Sequence, residues 1–329
     1  MPEGPEVKLF VEKLNQNYRY YMIKSVNVLS GRYTKKPIPR LSTLLGKEIK
    51  VFDCKGKFIW IDLDDVIVFN TLGMTGSWSR EKSKHSRIEF NFYENDTLYF
   101  NDIRNFGTFQ VKNRDDLNKK LKSIGPDMLS NPPLDFVKIL RKYNNKNICE
   151  VLMNQKIISG IGNYIKSESL WHSKINPFAP VRFLTDENLK ELEKSIIYVI
   201  NKSYNSSGAT IKSYYNFDGE SGSASNFFEV YGKKFDKFGM KVKKEQTPDK
   251  RNTHWVKNRQ IYGEPNMNED INICDTIFFK YIHSNEELRY GIVLDVKKDL
   301  NFGSIVKIIC DNKIEHIPYS LIQFEKVNK

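Results

Sequence analysis

The first regular hydrophobic pattern follows directly on the opening residues, MPEGPEV. Val7, Phe10, Val11 and Leu14 are spaced i, i+3, i+4 and i+7, so one face of a helix carries all four. Pro5 falls in the first turn of that helix, where a missing amide hydrogen costs nothing. The pattern therefore predicts a packed helix that begins within a few residues of the chain terminus.

Residues from about 22 to 111 have a pattern typical of β-strands. Apolar and polar residues alternate, or β-branched and aromatic residues follow one another, between clusters of turn residues. The segments are IKSVNVL, KEIKVFDC, KFIWIDLD, VIVFNTL, RIEFNFY and DTLYFND. They predict an antiparallel β-sandwich of about a hundred residues. IGPDML followed by NPP predicts the boundary, so a first domain is expected over residues 1–125.

A helical pattern defines a second predicted domain, residues 126–262. Its segments are LDFVKILRKY, NICEVLMNQ, NYIKSESLWHS and TDENLKELEKSIIYVINKSY, the last with Thr185 as its predicted cap. The glycine-bearing turn SGIGN lies between the second and third segments. A polar stretch rich in Gly and Ser, residues 214–226, predicts a mobile loop, and the basic, aromatic segment at about 227–260 predicts a β-hairpin.

The last residues, 263–329, form a third predicted unit. DTIFFKYI, RYGIVLDVKK, SIVKIICDN and EHIPYSLIQF have the pattern of short strands in a small barrel or sheet, similar to SH3-like or Tudor-like modules. Such modules bind peptides, chromatin marks or nucleic acid, and Tyr281, Tyr290 and Phe302 are candidates to line a groove. A structural appendage that covers the helical domain is the open alternative. The predicted fold class is α+β.

Composition and charge narrow the possible partners. Hydrophobic residues make up 40% of the 329, enough for packed cores. No run of about 18 apolar residues predicts a membrane span, and the N-terminus lacks a secretory pattern. A net charge of +12 indicates an acidic partner, nucleic acid first and a membrane surface second, although solubility alone is an alternative.

The four cysteines indicate a reducing compartment. Cys54, Cys149, Cys274 and Cys310 are far apart and form no C-x-x-C pair. This spacing argues against both a zinc site and a disulfide framework. We therefore expect a nuclear or cytoplasmic protein.

The opening residues carry a candidate chemistry. If Met1 is removed, Pro2 becomes a free secondary amine, and its α-amino pKa of about 7.7–8.0 leaves a reactive fraction near neutrality. Its attack on a sugar C1′ gives an iminium ion that acidifies C2′ and leads to strand cleavage. Glu3 can protonate the sugar ring oxygen. The alternative is that Pro2 and Glu3 merely start a helix. If Met1 is retained, the Pro2 nitrogen is part of an amide and cannot act as a nucleophile.

Eight short motifs together carry a family resemblance. PEGPEV, KGKFIW, LGMTG, DIRNFG, SGIGNYIKSESL, GATIKSY, VYGKK and RNTHW occur in the order found in the formamidopyrimidine-DNA glycosylase / endonuclease VIII family. The chain resembles this family over about residues 2 to 260. The resemblance implies an N-terminal β-sandwich, a helix–two-turn–helix domain and a DNA-binding finger.

The resemblance also implies roles for individual residues. Pro2 would be the nucleophile, Glu3 the general acid and Glu6 a carboxylate near the sugar, although Glu6 also suits a helix N-terminus without any such role.

Three further residues correspond to phosphate-binding positions of the family: Lys57 in KGKF, Asn163 in GIGN and Arg251 in KRNTHW. Such contacts would locate DNA without reading its sequence. Lys57 taken alone is an ordinary strand lysine. Asn163 taken alone belongs to a tight helix–helix turn.

Met74, Arg104 and Phe106 correspond to the residues that fill the void left by a flipped base. Ordinary core packing is the alternative for Met74 and Phe106.

The clearest departure from the family lies in the finger. Many members hold it with four cysteines on zinc, and the corresponding positions here are Phe235, Phe238, Val256 and Arg259. None can bind zinc well, so no metal or other cofactor is expected. A finger without these cysteines resembles that of the endonuclease VIII-like branch, which has a zincless finger. Packing of Phe235, Phe238, Tyr231 and Trp255 would then hold the hairpin.

The predicted function is a bifunctional DNA glycosylase with AP lyase activity. Its partner would be double-stranded DNA containing oxidised bases or abasic sites. Oxidised pyrimidines and hydantoins are the favoured substrates, 8-oxoguanine is also open, and cleavage would proceed by β,δ-elimination. The 214–226 loop is expected to cover the extruded base. A catalytically inactive sensor of damaged DNA is the alternative, as is an adaptor recruited through residues 263–329 to a protein or chromatin partner.

Overall fold

The computed structural model describes residues 2–208, 224–263, 276–281, 289–299, 303–311, 313–318 and 322–326. The chain opens with helix α1, Gly4–Tyr18, which confirms the predicted N-terminal helix. Its apolar face is buried, and Val7, Phe10, Val11 and Leu14 are each at most 2% exposed. The burial of these four side chains therefore fixes the position of the helix in the protein.

Eight strands form the two antiparallel sheets of an N-terminal sandwich. They are β1 Ile23–Val28, β2 Val51–Lys55, β3 Phe58–Asp62, β4 Ile67–Thr71, β5 Gly76–Ser79, β6 Ser86–Phe92, β7 Thr97–Asp102 and β8 Thr108–Lys112. One sheet has the order β1-β6-β7-β5 and the other β2-β3-β4-β8. All six predicted segments contain a strand, and every second residue of β6 is buried. The predicted sandwich is confirmed.

The second region is helical. It contains α3 Arg114–Ser123, α4 Phe136–Arg141, α5 Ile148–Met153, α6 Asn163–His172 and α7 Asp186–Asn205, and a short helix in the sandwich, α2 Arg32–Lys35, precedes them. The last four match the four predicted helical segments, and Thr185 caps α7 by accepting a hydrogen bond from the Asn188 amide. The sequence pattern did not predict α3, because only Leu117 of this helix is buried.

Helix α1 connects the two regions. On one side the Asn15 side chain exchanges two hydrogen bonds, of 2.7 and 2.9 Å, with the backbone of Phe52 in β2. On the other side Glu12 accepts a 2.8 Å hydrogen bond from the Tyr204 hydroxyl of α7. The middle and C-terminal half of α1 are therefore held between the sandwich and the helical region.

The predicted hairpin is present as β9 Lys243–Gln246 and β10 Asn252–Trp255, an antiparallel pair. We call residues 227–260 the finger. Its base packs on α6 through a small apolar cluster of Trp171, Val230 and Val256. The finger is thus attached to the helix that begins at Asn163.

The C-terminal strands form one antiparallel sheet. They are β11 Thr276–Tyr281, β12 Arg289–Asp299, β13 Gly303–Cys310, β14 Lys313–Pro318 and β15 Ile322–Lys326, in the order β14-β13-β12-β11-β15. The small β module is therefore confirmed, although its last predicted segment contains two strands. Phe302, the side chains of Tyr281 and Tyr290, and residues 214–223 of the predicted loop lie outside the described residues. No helix among the described residues combines the length and apolarity that a membrane crossing requires.

Candidate active site

Pro2 and Glu3 are buried where the N-termini of α1 and α6 meet. The Glu3 carboxylate accepts hydrogen bonds from two amides in the first turn of α6, Tyr164 N at 2.9 Å and Ile165 N at 3.3 Å. Only a glycine permits this approach at position 162, because any Cβ there would overlap the Glu3 carboxyl group. The SGIGN turn therefore leaves the space that Glu3 occupies.

Glu6 lies beside Glu3 and is completely buried. Its carboxylate accepts a 2.8 Å hydrogen bond from the Glu3 amide. The Tyr164 hydroxyl at 3.0 Å and the Ser203 hydroxyl at 3.2 Å also donate to it. Tyr164 and Ser203 were not predicted as site residues, since nothing in a linear pattern relates them to Glu6. The geometry supports a carboxylate held in one orientation.

The pKa of Glu3 is raised from 4.5 to about 7, mainly because burial disfavours the charged form. The positive charge of Lys57 and the two α6 amides oppose this rise, and the negative charge of Glu6 adds to it. A large fraction of Glu3 is therefore protonated near neutral pH. Such a carboxyl can act as a general acid at the pH of a cell.

Lys57 belongs to the same electrostatic group. Burial lowers the pKa of its ammonium, the charge of Glu3 counteracts that effect, and the charge of Arg251 lowers the pKa further. Glu3, Lys57 and Arg251 come from three separate parts of the sequence, yet their charges act on one another here.

A buried aspartate positions the KGK turn that carries Lys57. Asp127 accepts a 2.8 Å hydrogen bond from the amide of Gly56, which has a φ of +59°. A Cβ on Gly56 would come within 2.6 Å of the Ser159 side chain and 2.8 Å of the Gly160 amide. The turn therefore packs backbone to backbone on SGIGN. Asp127, in the predicted boundary segment, was not predicted to have this role.

Asn163 is the first residue of α6, and its side-chain amide donates a 2.9 Å hydrogen bond to the Asn252 carbonyl of the finger. The neighbouring Arg251 side chain is exposed. Asn163 therefore contacts the backbone next to Arg251. The charge of Arg251 also acts on Lys57, so the three predicted phosphate-binding residues lie in one region of the molecule.

Met74, Arg104 and Phe106 lie on two neighbouring loops of the sandwich. The Thr75 hydroxyl accepts a 2.9 Å hydrogen bond from the Arg104 amide and donates a 2.6 Å hydrogen bond to Asp102, which links the loops. The Arg104 guanidinium lies 4.7 Å from the Phe106 ring centroid. Phe106 is 53% exposed, so core packing does not explain it. Met74 is half-buried.

Aromatic packing supports the finger only in part. Trp255 is 4% exposed and packs edge-on against Phe178 at 5.6 Å, and Tyr231 packs against His254 at 4.9 Å. Phe235, by contrast, is 59% exposed, so the prediction that it stabilises the hairpin by packing is wrong. Phe238 is also largely exposed, although its ring stacks on Trp171 at 6.0 Å.

Polar groups of α6 supply what aromatic packing does not. Glu168 accepts hydrogen bonds of 2.7 to 3.0 Å from the amides of residues 229–231. The Trp171 indole donates a 3.1 Å hydrogen bond to Asp236. Arg259, at one of the four positions that correspond to zinc ligands, places its guanidinium 4.2 Å from the Trp171 ring centroid. These contacts attach both the backbone and the side chains of the finger to α6.

Two family models match the chain. Residues 1–109 match the formamidopyrimidine-DNA glycosylase N-terminal domain, and residues 124–214 match the formamidopyrimidine-DNA glycosylase H2TH domain. A formamidopyrimidine-DNA glycosylase of Prochlorococcus marinus is 30% identical over 292 residues, which cover 79% of this chain and all of the relative. One from Lactobacillus delbrueckii subsp. bulgaricus is 31% identical over 244 residues, covering 71% of this chain and 89% of that protein.

Solved structures agree with this assignment. The MutM (Fpg) protein of Thermus thermophilus superimposes with a TM-score of 0.72 at 26% identity, over 80% of this chain and all of that one. The Lactococcus lactis Fpg in complex with DNA containing an abasic site superimposes with a TM-score of 0.70 at 27% identity, over 78% of this chain and 99% of that one. The two family models and the relative of 30% identity show that the chain belongs to the formamidopyrimidine-DNA glycosylase family.

Proposed function

We propose that this protein is a DNA glycosylase of base excision repair that removes oxidised bases and then cleaves the strand at the resulting abasic site. The observation that carries the proposal is the buried Glu3 carboxyl, with a pKa of about 7, directly beside Pro2 and within the field of Lys57. The relatives named as formamidopyrimidine-DNA glycosylases support the first step. The Lactococcus lactis complex with abasic-site DNA supports a DNA substrate.

The chemistry begins once Met1 has been removed and Pro2 carries a free imino nitrogen. Its lone pair forms a bond to C1′, and the glycosidic bond breaks with its electron pair on the departing base. The nitrogen then loses its proton and expels the ring oxygen, which takes a proton from Glu3. The product is an iminium ion that cannot lose an N–H proton.

Elimination completes the reaction. The iminium ion draws electrons from C2′, so loss of a C2′ proton breaks the C3′–O bond and releases the 3′ phosphate. In a second elimination, loss of the C4′ proton breaks the C5′–O bond and releases the 5′ phosphate. Water then hydrolyses the iminium ion, which frees the Pro2 nitrogen and releases the sugar remnant as an aldehyde. Glu6, held by Tyr164 and Ser203, would present its carboxyl oxygens to the cationic intermediate.

Two cationic side chains and one neutral amide around this centre would bind the DNA. Lys57, Asn163 and Arg251 would bind the phosphates on either side of the flipped nucleotide. Met74, Arg104 and Phe106 would fill the void in the duplex, where Met74 and Phe106 wedge between bases and Arg104 bonds the orphaned partner base. Oxidised pyrimidines and hydantoins are the proposed substrates, and 8-oxoguanine is the alternative substrate.

The zincless, endonuclease VIII-like branch is part of this proposal. It is supported by the four finger positions that lack a metal-binding side chain and by the side-chain contacts that take their place. The segment after residue 262 would be a recruitment or structural module, because it lies outside the family match.

Borohydride trapping on abasic-site DNA tests the proposal. The expected product is a covalent adduct, and peptide mass spectrometry should place it on Pro2. A variant with one residue inserted before Pro2 is the matched control. Its Pro2 nitrogen is part of a peptide bond, so it should give no adduct at Pro2. Lesion-selective binding without any adduct from the processed protein would instead establish a non-catalytic damage sensor.

Deletion of residues 264–329 should leave incision unchanged.

A further inference from the structure

A buried ion pair joins α6 to the tip of the finger. The Lys166 ammonium lies 2.6 Å from a carboxylate oxygen of Asp249, and their side chains are 0% and 4% exposed. Asp249 stands in the β9–β10 turn, two residues before Arg251. The two partners are 83 residues apart in sequence, so no local pattern relates them.

The surroundings of Asp249 fix its orientation. Its second oxygen accepts a 2.5 Å hydrogen bond from the Thr247 hydroxyl and a longer one, 3.4 Å, from the Arg251 amide. The Thr247 hydroxyl also pairs with that of Thr253 at 2.7 Å, inside the hairpin. The carboxylate is therefore bonded on one side to α6 and on the other to the backbone that carries Arg251.

A second contact from the same helix reaches the other flank of Arg251. Asn163, almost one turn before Lys166, donates to the carbonyl of Asn252. Helix α6 thus binds the residue two before Arg251 and the residue directly after it. The backbone of Arg251 is fixed from both sides, while its guanidinium remains exposed to a ligand.

Stability alone explains this pair poorly. Burial removes both charges from water, and an apolar pair of similar volume is often as stable or more stable. What an apolar pair cannot supply is direction, because a hydrogen-bonded ammonium and carboxylate fix the distance and angle between two elements. The pair is therefore suited to fixing the distance and angle between α6 and the β9–β10 turn.

We propose that Lys166 is a positioning residue: through Asp249 it holds Arg251 at a fixed place relative to Asn163, so that helix and finger bind DNA phosphates as one preformed unit. The inference rests on the phosphate-binding role of Arg251 in the proposed function. Its physical basis is that a preformed arrangement avoids the entropy cost of ordering the finger when DNA binds.

A double-mutant cycle tests this inference on the full-length protein. The probe is a duplex with a stable abasic-site analogue, and affinity is measured over a range of salt concentrations. Arg251→Ala should weaken binding about tenfold or more and reduce the log–log salt slope by about 0.9, the loss of one phosphate contact. Lys166→Met should weaken binding and reduce the slope in the same direction. In the Arg251→Ala background, Lys166→Met should have almost no further effect.

That last result separates positioning from a long-range charge effect. If Lys166 acted on DNA through its charge, its removal would weaken binding equally with and without Arg251, and such additivity would overturn the inference. Full affinity in Lys166→Met beside a weakened Arg251→Ala would also overturn it. An unaffected Arg251→Ala variant would refute the phosphate role of Arg251 itself.

Two further variants guard against misfolding. Lys166→Met combined with Asp249→Leu removes the unpaired buried charge, so it should unfold at nearly the wild-type temperature and yet bind DNA as weakly as Lys166→Met. Restored affinity in this double variant would contradict the need for a directional contact. The matched control is Lys237→Met, which breaks the half-exposed Lys237–Glu229 pair of the finger and should leave binding unchanged.

Discussion

Replacing Glu3 with glutamine should stabilise the folded protein at neutral pH while it abolishes base excision. The reason lies in the burial that makes Glu3 an acid. In the unfolded chain its carboxyl has an ordinary pKa near 4.5, whereas in the folded protein burial raises the pKa to about 7. Above that pH the folded protein must hold a buried negative charge that water would otherwise solvate, and a neutral amide removes this cost.

The sign and size of the effect follow from proton linkage. Below about pH 4.5 the carboxyl is protonated in both states, so its raised pKa contributes nothing to the difference between variants. Between 4.5 and about 7 the folded state holds a proton that the unfolded state has lost, so rising pH destabilises the wild type relative to the variant. This interval corresponds to about 3 kcal/mol, at about 1.4 kcal/mol per pH unit.

A hydrogen bond offsets part of that gain. Glutamine has one acceptor oxygen, so it can satisfy the Tyr164 amide at 2.9 Å but loses the longer bond to the Ile165 amide. An unmade hydrogen bond of this kind costs about 1 kcal/mol. The expected net stabilisation of Glu3→Gln is therefore about 2 kcal/mol above pH 7, and near pH 4.5 the variant should be slightly less stable than the wild type.

Urea denaturation between about pH 5 and about pH 8 measures this difference. Titrating groups that do not interact with Glu3 contribute equally to both proteins and cancel. The difference between the two free energies of unfolding therefore reports Glu3 together with the groups its charge acts on, such as Lys57. Glu191→Gln, on the exposed face of α7, is the matched control for the chemical change itself. A Glu3→Gln difference that stays constant across the range would refute the raised pKa, and with it the account of Glu3 as a neutral-pH acid.

Three other expectations can be checked directly. Tyr164→Phe keeps the aromatic ring but removes a donor to Glu6, so single-turnover base excision should slow while the free energy of unfolding falls by only about 1 kcal/mol. Phe106→Ala should leave stability within about 0.5 kcal/mol, because this side chain is exposed, yet lower excision by the worth of one base stack, about 1–3 kcal/mol. EDTA should change neither excision rate nor unfolding temperature, since the four finger positions offer no metal ligand; loss of activity that zinc restores would contradict this.

Elements with strong hydrophobic periodicity were predictable from the sequence. Helix α1 has four apolar residues on one face and all of them are buried. Helix α3 shows the opposite case, because Leu117 is its only buried residue and periodicity is nearly absent. Its end signals were present, however: Asn113 caps the helix by accepting from the Asp116 amide, and acidic residues occupy the first turn. Capping chemistry would have found a helix that hydrophobicity did not.

The candidate site divides in the same way. Pro2, Glu3 and Lys57 belong to short motifs, and the structure brings Glu3 and Lys57 within each other's field. The residues that hold them were not predictable, because their contacts cross the chain. The Tyr164 hydroxyl reaches Glu6 over 158 positions, and the Gly56 amide reaches Asp127 over 71. Such pairs are set by how α6 and the sandwich pack, which no single segment encodes.

The position of Glu3 also explains why its pKa lies near neutrality and not far from it. Its carboxylate meets two amides at the positive end of α6, and such an end favours a negative charge. Lys57 favours the charge as well, while burial and Glu6 oppose it. Burial is the largest of these effects, so the acid remains partly protonated, yet the amides and Lys57 keep its proton transferable. A deeper apolar pocket would hold the proton too tightly, and an exposed helix end would lose it. The meeting of two helix N-termini beside a glycine turn gives an intermediate pKa, which suits the proton donation proposed for Glu3.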